Sequence, residues 1–153
     1  MIVWIGIGAT ALVGVFNLMG GINFVSQLIT GISEEPIIII LFMMLILFVL
    51  GMFLDWVGIA LLTMPIFVPI VVSLGYDPVW FCILLAVNLQ TSFLTPPFGF
   101  SLFYLKAVTP PEVTTGHIYR GIIPFVLFQM IGLAIVVLFP QLATWLPKLV
   151  YGP

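Results

Sequence analysis

Hydrophobic residues fill whole stretches of this chain instead of recurring on one face. Charged side chains divide it: Glu34, Glu35, Asp55, Asp77, Lys106, Glu112, Arg120 and Lys148. Between them lie the uncharged runs 1–33, 36–54, 56–76, 78–105 and 121–147. The run 37–50, IIIILFMMLILFVL, is apolar on every side of a helix and shows no sustained alternation of period two. A segment like that suits a lipid-embedded helix and not a barrel strand. A membrane span needs about 20 apolar residues to cross the hydrocarbon layer, and in lipid the backbone must satisfy its own hydrogen bonds. The pattern therefore predicts an all-α integral membrane protein.

Placing the helices takes some arithmetic. Residues 1–50 read as two membrane helices with an interfacial segment, 22–35, between them. Gly20-Gly21 ends the first helix, and Asn23, Ser26, Gln27 and Thr30 punctuate the interfacial segment. No basic residue precedes the first apolar run, so it does not read as a signal peptide. Pro36 suits the first turn of the second helix. As one helix, 36–76 would be about 60 Å long, twice a bilayer. One span followed by a re-entrant hairpin over 51–75 solves this, with its turn near Thr63-Met64-Pro65. Residues 78–108 form a broken helix: Thr95-Pro96-Pro97-Phe98-Gly99 interrupts it, leaving halves at 78–91 and 97–108. The last transmembrane helix spans 121–140, with a short tail, 141–153.

Composition narrows the function. The chain is 63% hydrophobic and 5% charged, where soluble domains carry about 25% charged residues. A net charge of −2 with three basic residues excludes an electrostatic nucleic-acid binder. Cys82 is the single cysteine and His117 the single histidine. No nucleophile–base pair, metal-ligand spacing or phosphate loop is present, so neither enzyme chemistry nor a resident cofactor is expected. Positive-inside counting places 106–120 in the cytoplasm.

The chemistry concentrates before the Pro-Pro break. Asn88, Gln90, Thr91, Ser92 and Thr95 offer uncharged oxygens, and a broken helix frees backbone carbonyls beside them. Hard cations take oxygen ligands, and unwound carbonyls hold Na⁺ in transporters. Interhelical hydrogen bonding is the competing reading, and the cluster favours a cation site. Thr63 and Met64 stand even between a hairpin tip and a proline-kinked helix in which Thr63 bonds back to its own turn. Asp55 reads as a helix cap, although an ionisable group in an apolar setting is also a functional candidate. Gln129 reads as packing.

Taken together, Gly51…Leu54-Asp55-Trp56, Pro65…Pro69, Leu74-Gly75-Tyr76-Asp77-Pro78, Asn88-Leu89…Leu94-Thr95-Pro96-Pro97-x-Gly99 and Ile123-Pro124-Phe125 resemble the large membrane (permease) subunit of tripartite ATP-independent periplasmic (TRAP) transporters, in its C-terminal part. The resemblance implies one half of an inverted-repeat transporter, built from a hairpin and a broken helix. It implies Na⁺-coupled, elevator-like import of carboxylate-type organic acids across a bacterial inner membrane, with Na⁺ as coupling ion and no other cofactor. Its implied partners are a small TRAP membrane subunit, a periplasmic substrate-binding protein and the missing N-terminal part of the large subunit. Carried over by motif, Na⁺ would draw on Thr63, Met64, Thr91, Ser92, Thr95 and Pro96. Substrate would meet Asn88, Thr95, Pro96, Pro97 and Gly99. The competing expectation is a non-transporting interaction subunit, or a truncated fragment with no ion site of its own.

Overall fold

The structure is a computed structural model that describes residues 2–96 and 99–151, without the side chains of Phe100 and Tyr151. Within it the chain is helical almost throughout: α1 (Ile2–Leu18), α2 (Gly21–Thr30), α3 (Pro36–Gly51), α4 (Trp56–Ser73), α5 (Pro78–Leu94), α6 (Phe100–Val108), α7 (Thr115–Leu138) and α8 (Gln141–Tyr151). There is no strand among the described residues. This is an all-α, multi-pass membrane protein. α4 and α7 are long and apolar enough to cross a bilayer. α1 and α2 together pass the same test but bend by 78° at Gly20, whose φ of 76° suits glycine.

Local chemistry sets the helix starts. Pro36 and Pro78 open α3 and α5, where a missing N–H costs nothing. Asp55 Oδ2 accepts from the Val57 and Gly58 amides, each at 3.1 Å, and caps α4. Asp77 Oδ1 accepts from the Val79 amide at 2.8 Å and caps α5. Thr114 and His117 cap each other at the start of α7.

The core is one cluster drawn mainly from α3, α4 and α5, including Met43, Leu47, Ile59, Val71, Phe81 and Leu84. α3 and α5 run side by side in the same direction, since Met44 meets Asn88 and Gly51 meets Ser92. α1 packs on α4 and α7 on α5. The Trp80 indole donates to the Val136 carbonyl at 2.8 Å and pins α5 to α7. α8 closes the end of the bundle where α5 begins, burying Ala143 and Thr144, with Lys148 3.5 Å from Asp77.

Two expectations need correction. The chain does not turn at Thr63-Met64-Pro65, because α4 runs through it as an 18-residue helix. Pro65 and Pro69 are both exposed and four residues apart, so their rings share one outer face. The opposite face, Ile59, Thr63, Phe67 and Ile70, is buried without interruption and carries the helix through. The turn lies earlier, between Gly51 and Trp56, where Asp55 starts a new helix. α3 and α4 therefore form the helical hairpin, and α3, with 16 residues, is only about 24 Å long. The segment 141–153 is also more than a tail. Most of it is α8, with Pro147 inside the helix.

Candidate functional site

α5 ends at Leu94, and Thr95 is already extended at φ −98° and ψ 135°. α6 restarts after Gly99, whose φ of 46° places it in the left-handed region. A side chain there would also press on Leu102, whose Cδ1 would lie 2.8 Å from a Cβ. Pro97, an expected site residue, lies outside the described residues.

The polar residues of the last α5 turns are buried. Thr91 and Ser92 are fully enclosed and Asn88 is 3% exposed. The Asn88 amide donates to the Met44 carbonyl at 2.8 Å, bridging α5 to α3. The hydroxyls bond back along their own helix. Thr91 donates to Val87 O at 2.9 Å, Ser92 to Leu89 O at 2.8 Å and Thr95 to Thr91 O at 2.8 Å. Each such bond uses the hydroxyl proton and leaves oxygen lone pairs as acceptors.

Gly51, the last residue of α3, sits directly on Ser92. A Cβ built on Gly51 would stand 2.9 Å from Ser92 Cβ and 3.2 Å from Leu89 Cδ2, with Ser92 Oγ closer still. Two helix C-termini, those of α3 and α5, therefore converge on one place. Each carries about half a negative charge on its last carbonyls. The starts of α4 and α6 lie beside them with the opposite polarity. The α4 start is already capped by Asp55, whereas α6 has no side-chain cap. The α3 and α5 ends are therefore electronegative and the α6 start electropositive.

The structure thus gathers Asn88, Thr91, Ser92 and Thr95 near one break, with Pro96 and Gly99 flanking it. It does not put Thr63 and Met64 at a helix tip. They lie mid-helix, and Thr63 Oγ1 donates to Ile59 O at 2.8 Å. Gln90 is exposed. Asp55 is a cap, and His117 belongs to the α7 capping box. Sequence reasoning missed the seating of Gly51 on Ser92 and, although it read Asp55 as a helix cap, did not place the hairpin turn at 52–55. The available signal was an aspartate directly before an apolar helix, which marks a helix start.

A cavity of about 340 Å³ opens on another flank of α5, between the α5 end and α7. Thr95, Pro96, Tyr119 and Arg120 line it, together with apolar residues of α7 that include Ile123 and Leu127.

Residues 1–142 match the family described as "Tripartite ATP-independent periplasmic transporter, DctM component". The chain is 35% identical over 121 residues to the sialic acid TRAP transporter large permease protein SiaM of Vibrio cholerae, covering 79% of this chain and 28% of that protein. It is 33% identical over 118 residues to the C4-dicarboxylate TRAP transporter large permease protein DctM of the same organism, covering 77% and 26%. It is 34% identical over 124 residues to the ectoine/5-hydroxyectoine large permease protein UehC of Ruegeria pomeroyi, covering 80% and 28%. The chain spans less than a third of the length of these relatives. With a family match over residues 1–142 and relatives at this identity, the chain belongs to the DctM component family of tripartite ATP-independent periplasmic transporters.

Proposed function

We propose that these residues form the C-terminal portion of the transport domain of a Na⁺-coupled importer of small organic acids. The observation that carries this reading is the seating of the α3 end, at Gly51, on Ser92 in the last turn of α5. Two negatively polarised helix ends and a set of buried hydroxyl oxygens then share one location. The hydroxyl and carbonyl oxygens there are uncharged, which suits a monovalent cation that must also leave. Ser92, Thr91 and Thr95 supply hydroxyl oxygens, and the carbonyls around Pro96 supply the rest. Thr63 and Met64 lie mid-helix, about 10 Å along α4 from its start at Trp56, and this shell is built without them. The uncapped start of α6, after Gly99, receives the substrate carboxylate, with Asn88 and Thr95 lining its approach.

In this reading a periplasmic binding protein delivers the solute, a small membrane subunit braces the scaffold, and the remainder of the large subunit supplies the second half of the cavity. The hairpin α3–α4 and the broken helix α5–α6 move as one body in an elevator-like step, in a bacterial inner membrane. The relatives transport sialic acid, C4-dicarboxylates and ectoines by name, so small polar organic solutes are the class proposed.

The test is uptake by the complete transporter in proteoliposomes with its binding protein. The double substitution Ser92→Ala and Thr95→Ala is expected to raise the Na⁺ concentration for half-maximal uptake at least tenfold. An unchanged Na⁺ dependence would remove the cation site from this break. Uptake that needs no Na⁺ gradient in the unmodified transporter would overturn the coupling itself.

A further inference from the structure

We propose that the cavity between the α5 end and α7 holds an anionic phospholipid, with its phosphate on Arg120 and an acyl chain along Ile123 and Leu127. The cavity borders the proposed cation site at Thr95 and Pro96 but extends away from Gly51, along α7. Ser92 and Leu89 turn toward Gly51, whereas Leu94, two residues on from Ser92, lies about 200° further round the helix and lines the cavity. Apart from Thr95, Tyr119 and Arg120, its walls are apolar. Ile123 and Leu127 are more than half exposed, so the cavity opens sideways along α7. At about 340 Å³ it lies within the range of small-molecule sites.

Charge identifies the occupant. The chain has three basic residues, and two are engaged. Lys148 pairs with Asp77, and Lys106 donates to the Val113 carbonyl. Arg120 has no hydrogen bond or ion pair among the described residues, and it lies about 8 Å along α7 from its start at Thr115. An uncompensated guanidinium at the edge of an apolar groove calls for an anion joined to an apolar tail. α6 and α7 are joined by residues 109–114, which keeps Lys106 at the same end of the fold. Tyr119 lines both the main cavity and a small recess beside Lys106. With Lys106 held by the Val113 carbonyl and Glu112 in the 109–114 connection, Arg120 is the cation left for an acidic headgroup, and basic pockets between membrane helices bind such groups. A guanidinium also suits phosphate oxygens in a two-pronged contact. A soluble organic acid would leave the apolar walls unfilled.

The test is native mass spectrometry of the chain in detergent micelles with equimolar phosphatidylglycerol and phosphatidylcholine. Phosphatidylglycerol is expected to be retained at least tenfold over phosphatidylcholine. Arg120→Gln is expected to abolish that preference and Arg120→Lys to keep most of it. Ile123→Trp, which fills the groove and leaves the charge, is expected to lower phosphatidylglycerol retention severalfold. Equal retention of both lipids by the unmodified chain would overturn the proposal. So would undiminished preference in Arg120→Gln, or unchanged retention in Ile123→Trp. Millimolar succinate is expected to displace no lipid; displacement would assign Arg120 to a soluble carboxylate and overturn the lipid reading.

Discussion

Gly51 gives the most direct handle on the site. At an ordinary helix position, replacing glycine by alanine stabilises by up to about 1 kcal/mol. Gly51 has no positive φ that would forbid a side chain. Its surroundings are what forbid one. A methyl group there would stand 2.9 Å from Ser92 Cβ and 3.2 Å from Leu89 Cδ2. Rotating the Ser92 hydroxyl away would break its bond to Leu89 O and still leave the Cβ clash. Overpacking of this kind costs about 1–3 kcal/mol. The net expectation for Gly51→Ala is therefore a loss of about 1–2 kcal/mol, opposite in sign to the helix preference. Gly132→Ala in α7 is the matched control, because nothing lies within 4 Å of its Cβ, and it should be neutral or stabilising. The assay is reversible denaturant unfolding of the chain in micelles, followed by Trp fluorescence. If Gly51→Ala matches or exceeds the unmodified chain in stability, α3 does not end on Ser92 and the proposed cation site loses its second wall.

Asn88→Ala removes the bond to the Met44 carbonyl in a site that is 3% exposed, and the same assay should show a loss of about 1–2 kcal/mol, from the lost hydrogen bond and the space left behind, since the carbonyl keeps its partner within α3. Asp55→Ala strips the cap from α4 and should cost about 1 kcal/mol, with Asp55→Asn recovering most of it; equal losses would assign Asp55 a charge-dependent role. Lys148→Ala should shift stability by less than about 0.5 kcal/mol, since its ion pair with Asp77 is open to solvent, and a larger loss would show that α8 is anchored mainly by that pair.

Much of the architecture is legible in the run lengths. A stretch such as 78–105 cannot be one straight span, and Pro96-Pro97 marks where it breaks. The break follows Leu94, three residues later than the expected end of the first half. The prolines of α4 misled for a physical reason. Each interior proline costs α4 one backbone bond, but the buried face of Ile59, Thr63, Phe67 and Ile70 opposite Pro65 and Pro69 holds the helix together through them. The hydroxyl cluster was visible as a list of residue types. Their back-bonding to Val87, Leu89 and Thr91 was not, because hydroxyl rotors follow the local backbone.

By itself the sequence determined a helical membrane protein, because eight charged side chains cannot cover a soluble surface and lipid tolerates no unpaired backbone. It also pointed to the cap at Asp55, since capping needs only the residues that follow; the Asp77 cap emerged from the structure. The tertiary structure alone decided which polar groups meet. Gly51 and Ser92 lie 41 positions apart in the chain, and only the parallel packing of α3 against α5 brings two helix C-termini to one point. Likewise, only the packing of α7 on α5 shows Arg120 beside an apolar cavity without a partner among the described residues. Local pattern specifies helices, because their bonds close within four residues. Which helix ends converge depends on side-chain volume across interfaces, and no single stretch of sequence encodes that.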